Sequence, residues 1–138
     1  MSKRTDAVKS IPLFSRVPSR DLKHIVDRLR DEHFSPGQKI VTEGEPTGRM
    51  YIVTTGRAKV IVRGRTRNHL AAGALIGELS VFDRSPRSAT IEAETDVTAL
   101  SLSSVEFGAL LEEQPSIATA VIRTLADRVR KLEKELVS

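Results

Sequence analysis

Apolar and polar positions along the chain follow a helical period, then an alternating one, then a helical one again. Ile11, Leu13 and Phe14 form a short apolar anchor around Pro12, and Leu22, Ile25, Val26 and Leu29 then recur as one face of a helix. With Ser19 as its N-cap, this spacing predicts helical structure within the stretch from Ile11 to Phe34, with Arg20, Asp21, Lys23, Asp27, Arg28, Arg30 and Asp31 on the wet face. After Ser35-Pro36-Gly37 the apolar runs shorten and alternate. Ile40-Val41, Met50 to Val53 and Ala58 to Val62 read as strands separated by Gly-rich turns, Arg63-Gly64-Arg65 as a hairpin turn, and Thr66 to Ala71 as the returning strand. Ala89 to Thr95 and Val97 to Leu102 alternate again, broken at Thr95-Asp96. Short strands punctuated in this way predict an all-β roll or sandwich.

Helical spacing returns at Ser104, which is placed to cap a helix carrying Phe107, Leu110 and Leu111 and ending before Gln114-Pro115. Pro115-Ser116 opens a last helix, with Ser116 as its cap. Within it Ala118, Ile122, Leu125, Val129, Leu132 and Leu136 keep a four-three heptad register. β-branched residues at one core position and Leu at the other favour a parallel two-stranded coiled coil, with Arg128 and Glu133 at the flanking positions. The broader face of Ile117, Ala118, Val121 and Ile122 is expected to pack within the domain itself, and Val129 to Leu136 against a second copy or a partner helix.

Length and charge narrow the class. The 138 residues suit one domain with one appended element. The 22 basic and 18 acidic residues, net +4, are spread along the chain as on a mixed soluble surface. Cysteine is absent, which removes disulfides, thiolate metal sites and cysteine nucleophiles. No leader-type or bilayer-length apolar run is present, so a cytoplasmic protein with no membrane partner is expected. His24, His33 and His69 are scattered, and neither a metal site nor a catalytic residue is expected. Arg57, Lys59, Arg63, Arg65 and Arg67 form a basic cluster without interleaved aromatics, which reads as a solvated hairpin face rather than a nucleic-acid contact.

The stretch from Gly73 to Thr90 carries the candidate chemistry. Gly73 and Gly77 permit tight turns, Glu78 follows among apolar neighbours, and Arg87 comes after Ser85-Pro86. A carboxylate that accepts hydrogen bonds and a guanidinium that grips phosphate in pairs can hold a ligand bearing a hydroxyl and a phosphate, or can simply pair with each other.

Ile76-Gly77-Glu78-Leu79-Ser80-Val81 followed by Pro86-Arg87-Ser88-Ala89-Thr90 resembles the phosphate-binding cassette of the cyclic nucleotide-binding domain family, departing at Ile76, where Phe is usual, and at Ser80, where Ala is usual. The turns at Pro36-Gly37, Glu43-Gly44, Gly56 and Gly73 and the Ile11 to Phe14 anchor resemble the same family. The resemblance implies a mainly β fold, an eight-stranded β-roll or jelly roll with flanking N-terminal and C-terminal helices. It also implies a division into a short segment over 1–10, the roll with its supporting helices over 11–115, and a lid and dimerisation helix over 116–138.

By the same resemblance Glu78 accepts the ribose 2′-hydroxyl and Arg87 neutralises the cyclic phosphate. Backbone amides near Leu79, Ser80 and Ser88 complete an anion nest beside Gly77 and Ala89. Arg128, or next Leu132, covers the base. The expected function is a regulatory module without catalysis or cofactor that binds cAMP, or cGMP, and transmits binding through its last helix. Ser88 stands where the family often has Ala in cAMP sites and Thr in cGMP sites. The alternative is a nucleotide-independent interaction domain that keeps the roll. A chain ending at Ser138 is expected to be a sensor rather than a whole DNA-binding regulator.

Overall fold

Val53, Ala58, Ile91, Ala93, Val97 and Ala99 alternate with polar or oppositely facing residues along their strands, and this alternation places them on one side of each sheet. The computed structural model describes residues 3–46, 48–77, 82 and 85–137. Among these residues are eight strands: β1 (Arg30–Phe34), β2 (Lys39–Val41), β3 (Arg49–Thr55), β4 (Ala58–Val62), β5 (Arg65–Leu70), β6 (Leu75–Ile76), β7 (Thr90–Ala93) and β8 (Val97–Ser103). The helices are α1 (Lys3–Lys9), α2 (Leu22–Val26), α3 (Ser104–Glu113) and α4 (Pro115–Val137), with 3₁₀ turns at Pro12–Phe14 and Ser19–Asp21. The chain divides into two units, 28–107 and 1–27 with 108–138.

The first unit holds two four-stranded antiparallel sheets, ordered β1-β8-β3-β6 and β2-β7-β4-β5. Phe34, Val53, Ile76, Val97 and Ala99 from one sheet pack with Ile40, Val41, Ala58, Ile91 and Ala93 from the other to form the core of the expected roll. Met50, Ile52, Leu100 and Leu102 occupy the opposite pleat and are also buried, so β3 and β8 carry buried apolar residues on both faces. At Gly56, φ is +89°, and a Cβ would lie 2.1 Å from the Asp96 carbonyl oxygen, so only glycine lets the β3–β4 turn pass the β7–β8 turn.

In the second unit Ile11, Leu13 and Phe14 are buried as the anchor predicts, and their 3₁₀ turn packs on α4. Arg16 pairs with Asp127. The Ser116 hydroxyl donates to the buried Asp21 carboxylate at 2.8 Å, placing a negative charge beside the start of α4.

Four local expectations change. The helical stretch ends early: α2 stops at Val26, and Arg30–Phe34 is β1, paired in register with Val97–Ser101 of β8. Pairing with an apolar strand outweighs the weak local preference of Arg-Asp-Glu-His. Ser19 begins a 3₁₀ turn rather than capping α2. Ser103, not Ser104, caps α3, its Oγ accepting from the Glu106 N–H at 3.0 Å, and Ser116 lies inside α4. Finally, the buried face of α4 is Ile117, Ala120, Val121 and Thr124. Ala118 is half-buried, and Ile122, outside the face those positions define, is exposed.

Candidate functional site

The backbone of Arg87 is held before its side chain is considered. Its N–H donates to the Glu45 carbonyl and its carbonyl accepts from the Gly44 N–H, both at 2.9 Å, while the Thr90 hydroxyl accepts from the Glu43 N–H at 2.9 Å. The segment entering β7 is thereby stitched to the turn after β2. Gly44, at φ +84°, supplies the bend that turn needs.

The Arg87 guanidinium then reaches back to the end of β6. Nη2 donates to the Arg49 carbonyl oxygen, and Nη1 lies where a Cβ on Gly77 would stand, 2.1 Å away. Gly77 has φ +76°, so the position requires glycine for both conformation and space. Burial lowers the Arg87 pKa, an effect the nearby Tyr51 opposes, and the group remains a cation at neutral pH. Among the described residues it meets no carboxylate within ion-pair distance. Among the described residues its one hydrogen-bond acceptor is the neutral Arg49 carbonyl, and an anion in front of it would be stabilised.

That anion has a place to sit. Gly77, Arg87, Ser88 and Ala89 line one cleft of about 260 Å³, floored by Val41, Ile76 and Ile91. The structure therefore brings together four of the residues singled out in the sequence. Glu78, Leu79 and Ser80 lie outside the described residues. Arg128 belongs to the second unit, where it lines a groove on α4 with Lys131, Leu132 and Glu135.

Behind Arg87 is a polar arrangement that sequence reasoning missed. Arg49 Nη1 donates to the Ser101 hydroxyl and Ser101 donates to Glu32, both at 2.9 Å, with Ser101 fully buried. Tyr51 packs edge-on against Phe34, and its pKa is raised by burial and by the Glu32 charge, against the pull of Arg87, Arg49 and Arg30. A second cleft of about 170 Å³, lined in part by Glu45, Arg49 and Tyr51, shares Arg87 with the first. The signal for this network was a polar residue, Ser101, at an inward position in phase with Val97 and Ala99. Nearby, Phe82 meets Phe107 edge to face at 5.3 Å.

Among the described residues no group of three His, Asp or Glu side chains could hold a metal ion, and no helix is long and apolar enough to cross a membrane.

Comparison with known proteins gives this geometry a family. The family model described as "Cyclic nucleotide-binding domain" matches residues 31–122. The chain is 33% identical over 128 residues to the potassium/sodium hyperpolarization-activated cyclic nucleotide-gated channel 3 of Mus musculus, covering 93% of this chain and 16% of that protein. It is 36% identical over 124 residues to a cyclic nucleotide-gated potassium channel of Rhizobium etli, covering 88% of this chain and 34% of the channel. The chain thus spans between 16% and 34% of the length of these relatives. Among solved structures, the N-terminal domain of a transcriptional regulator from Streptomyces coelicolor superposes with a TM-score of 0.87 at 32% identity, over 95% of each chain. The eight strands in two sheets with flanking helices are that fold. By its cassette, its roll and its matched model, the chain belongs to the cyclic nucleotide-binding domain family.

Proposed function

We infer that the chain is a non-catalytic sensor module that reversibly binds a 3′,5′-cyclic purine nucleotide, cAMP in preference to cGMP, and passes the binding event on through α4. The observation that carries this reading is the half-buried Arg87 guanidinium lining the cassette cleft with no carboxylate partner among the described residues. A cyclic phosphate supplies a negative charge to it, and its paired oxygens match the guanidinium fork. Glu78 accepts the ribose 2′-hydroxyl, and the amides of Leu79, Ser80 and Ser88 surround the phosphate beside Gly77 and Ala89, an assignment supported by the sequence pattern. Ser88 stands where the family often has Ala in cAMP sites and Thr in cGMP sites, and its hydroxyl leaves cGMP as the second candidate ligand. The cyclic nucleotide-gated relatives support the ligand class, and their greater length supports an output element outside this chain.

In this reading α4 has two uses. Arg128, or Leu132, covers the base of the bound nucleotide. Ile122, Val129 and Leu136 at one heptad position, with Leu125 and Leu132 at the other, pair in parallel with a second copy, and Arg128 faces the opposing Glu133. Arg128 cannot fill both places at once, which makes the helix a two-state element. The ligand shifts that equilibrium only by its differential affinity for the two states.

A second reading, a nucleotide-independent dimerisation domain, is favoured by the exposure of that stripe: Ile122 is 65%, Val129 54%, Leu132 59% and Leu136 85% exposed. Calorimetric titration of cAMP and cGMP, with the mass in solution measured with and without ligand, separates the two. Binding of cAMP that Arg87→Ala weakens supports the sensor. A folded wild-type chain that binds neither nucleotide leaves the dimerisation domain.

A further inference from the structure

We propose that the tip of the β4–β5 hairpin is a docking point for a carboxylate-rich segment of a partner protein, held by Arg63, Arg65 and Arg67. The sheet order leaves β5 at a free edge, and Arg65 to His69 are all exposed. Near β7 the cations of this face are matched: Arg57 lies 3.6 Å and His69 2.5 Å from Glu94, and Lys59 lies 3.4 Å from Glu92. Matching stops toward the tip. Among the described residues the guanidiniums of Arg63, Arg65 and Arg67 meet no carboxylate, and the one acidic group there, Glu43, is engaged by the Arg63 backbone N–H at 3.0 Å.

The turn itself points to a retained function. Arg63 and Gly64 are its central residues, with φ of 51° and 78°, a conformation for which Asn or Gly is the ordinary choice at the first position. Arginine there is strained, and nothing in the turn uses its side chain. The three exposed cations are all arginine, whose planar fork suits paired oxygens where lysine would serve mere solubility. The hairpin from Ala58 to Leu70 contains no Phe, Tyr or Trp, and its one imidazole, His69, is engaged by Glu94, which disfavours single-stranded nucleic acid. From Arg63 to Asn68 no apolar side chain is available to enter a lipid surface. Arg67 is the extra residue where the register slips between Val60 and Ile61, and such a bulge, with its charge, blunts pairing of the edge with a second copy. An acidic segment is attracted by the same charges.

The test uses a fluorescein-labelled peptide of alternating glutamate and serine, its glutamine counterpart, mixed-sequence single-stranded DNA, and phosphatidylserine vesicles. The glutamate peptide is expected to bind with an affinity that falls as salt rises, and to lose about tenfold or more with the triple substitution Arg63→Asn, Arg65→Ser and Arg67→Ser. Arg63→Asn alone is expected to raise the thermal midpoint while weakening peptide binding, a combination that a purely structural role would not produce. Cyclic nucleotide titration of the triple variant serves as the folding control. The proposal is overturned if the glutamine peptide binds as well, if the triple variant keeps full affinity, or if only DNA or vesicles bind.

Discussion

Gly77 and Arg87 occupy each other's space: a Cβ on the glycine would stand 2.1 Å from Nη1 of the arginine and 3.2 Å from its Cζ. The glycine that ends β6 and the cation that precedes β7 are one unit of the cleft. Gly77→Ala adds a methyl group at φ +76° and pushes the guanidinium away. The expected result is about tenfold or more weaker cyclic nucleotide binding by calorimetry and a loss of roughly 1–2 kcal/mol of stability in urea. Unaltered affinity would mean that the guanidinium finds the ligand from elsewhere.

Arg87→Ala is expected to cost ~2–5 kcal/mol of binding free energy, because the ligand phosphate loses its charged partner. Arg87→Lys keeps the charge without the fork and should fall between the two. Titration calorimetry of the three proteins orders them, and a lysine variant equal to the alanine variant would show that geometry outweighs charge.

The acid limb of the stability curve should report Glu94. The His69 hydrogen bond is the main cause that holds its carboxyl below the usual carboxylate range, helped by the charges of His69, Arg57 and Lys59 and opposed by desolvation. A carboxylate with a depressed folded pKa contributes stability above its unfolded pKa and loses it as pH falls through the folded value. In His69→Gln the Glu94 carboxyl carbon, followed by NMR, should titrate at higher pH than in the wild type.

Gly56→Ala drives a methyl group against a backbone oxygen that no rotamer can move. About 2–3 kcal/mol of stability should be lost, read as a lower urea midpoint with little change in the cleft.

Val129→Asp with Leu132→Asp places charges on the exposed stripe of α4. The wild type is expected to sediment as a dimer and this variant as a monomer, with the roll still folded by circular dichroism. A wild-type chain that is monomeric throughout would remove the coiled coil.

How legible these features were depended on their range. The strands from β2 to β5 and β7 to β8 announced themselves because alternation is local, whereas Gly77, Arg87, Ser88 and Ala89 stood out through the resemblance of their stretch to the cassette. β1 did not, since Arg30 to His33 become a strand only through pairing with β8, far along the chain. Ser101 is one polar position of an alternating strand in the sequence, and its partners Arg49 and Glu32 come from strands far along the chain. Ile122 fitted the heptad and the inward face equally well in one dimension, and only the placement of Ala120 and Thr124 decided which.

The clamp on Arg87 ties three parts of the roll to a single residue. Through its backbone the residue is tied to Gly44 and Glu45, and through its side chain to Gly77 and the first residue of β3. Whatever tugs that cation tugs three loops together, so the cleft's hold on an anion is expected to drift with substitutions in the Gly44–Glu45 bend, leaving the cassette's own letters untouched.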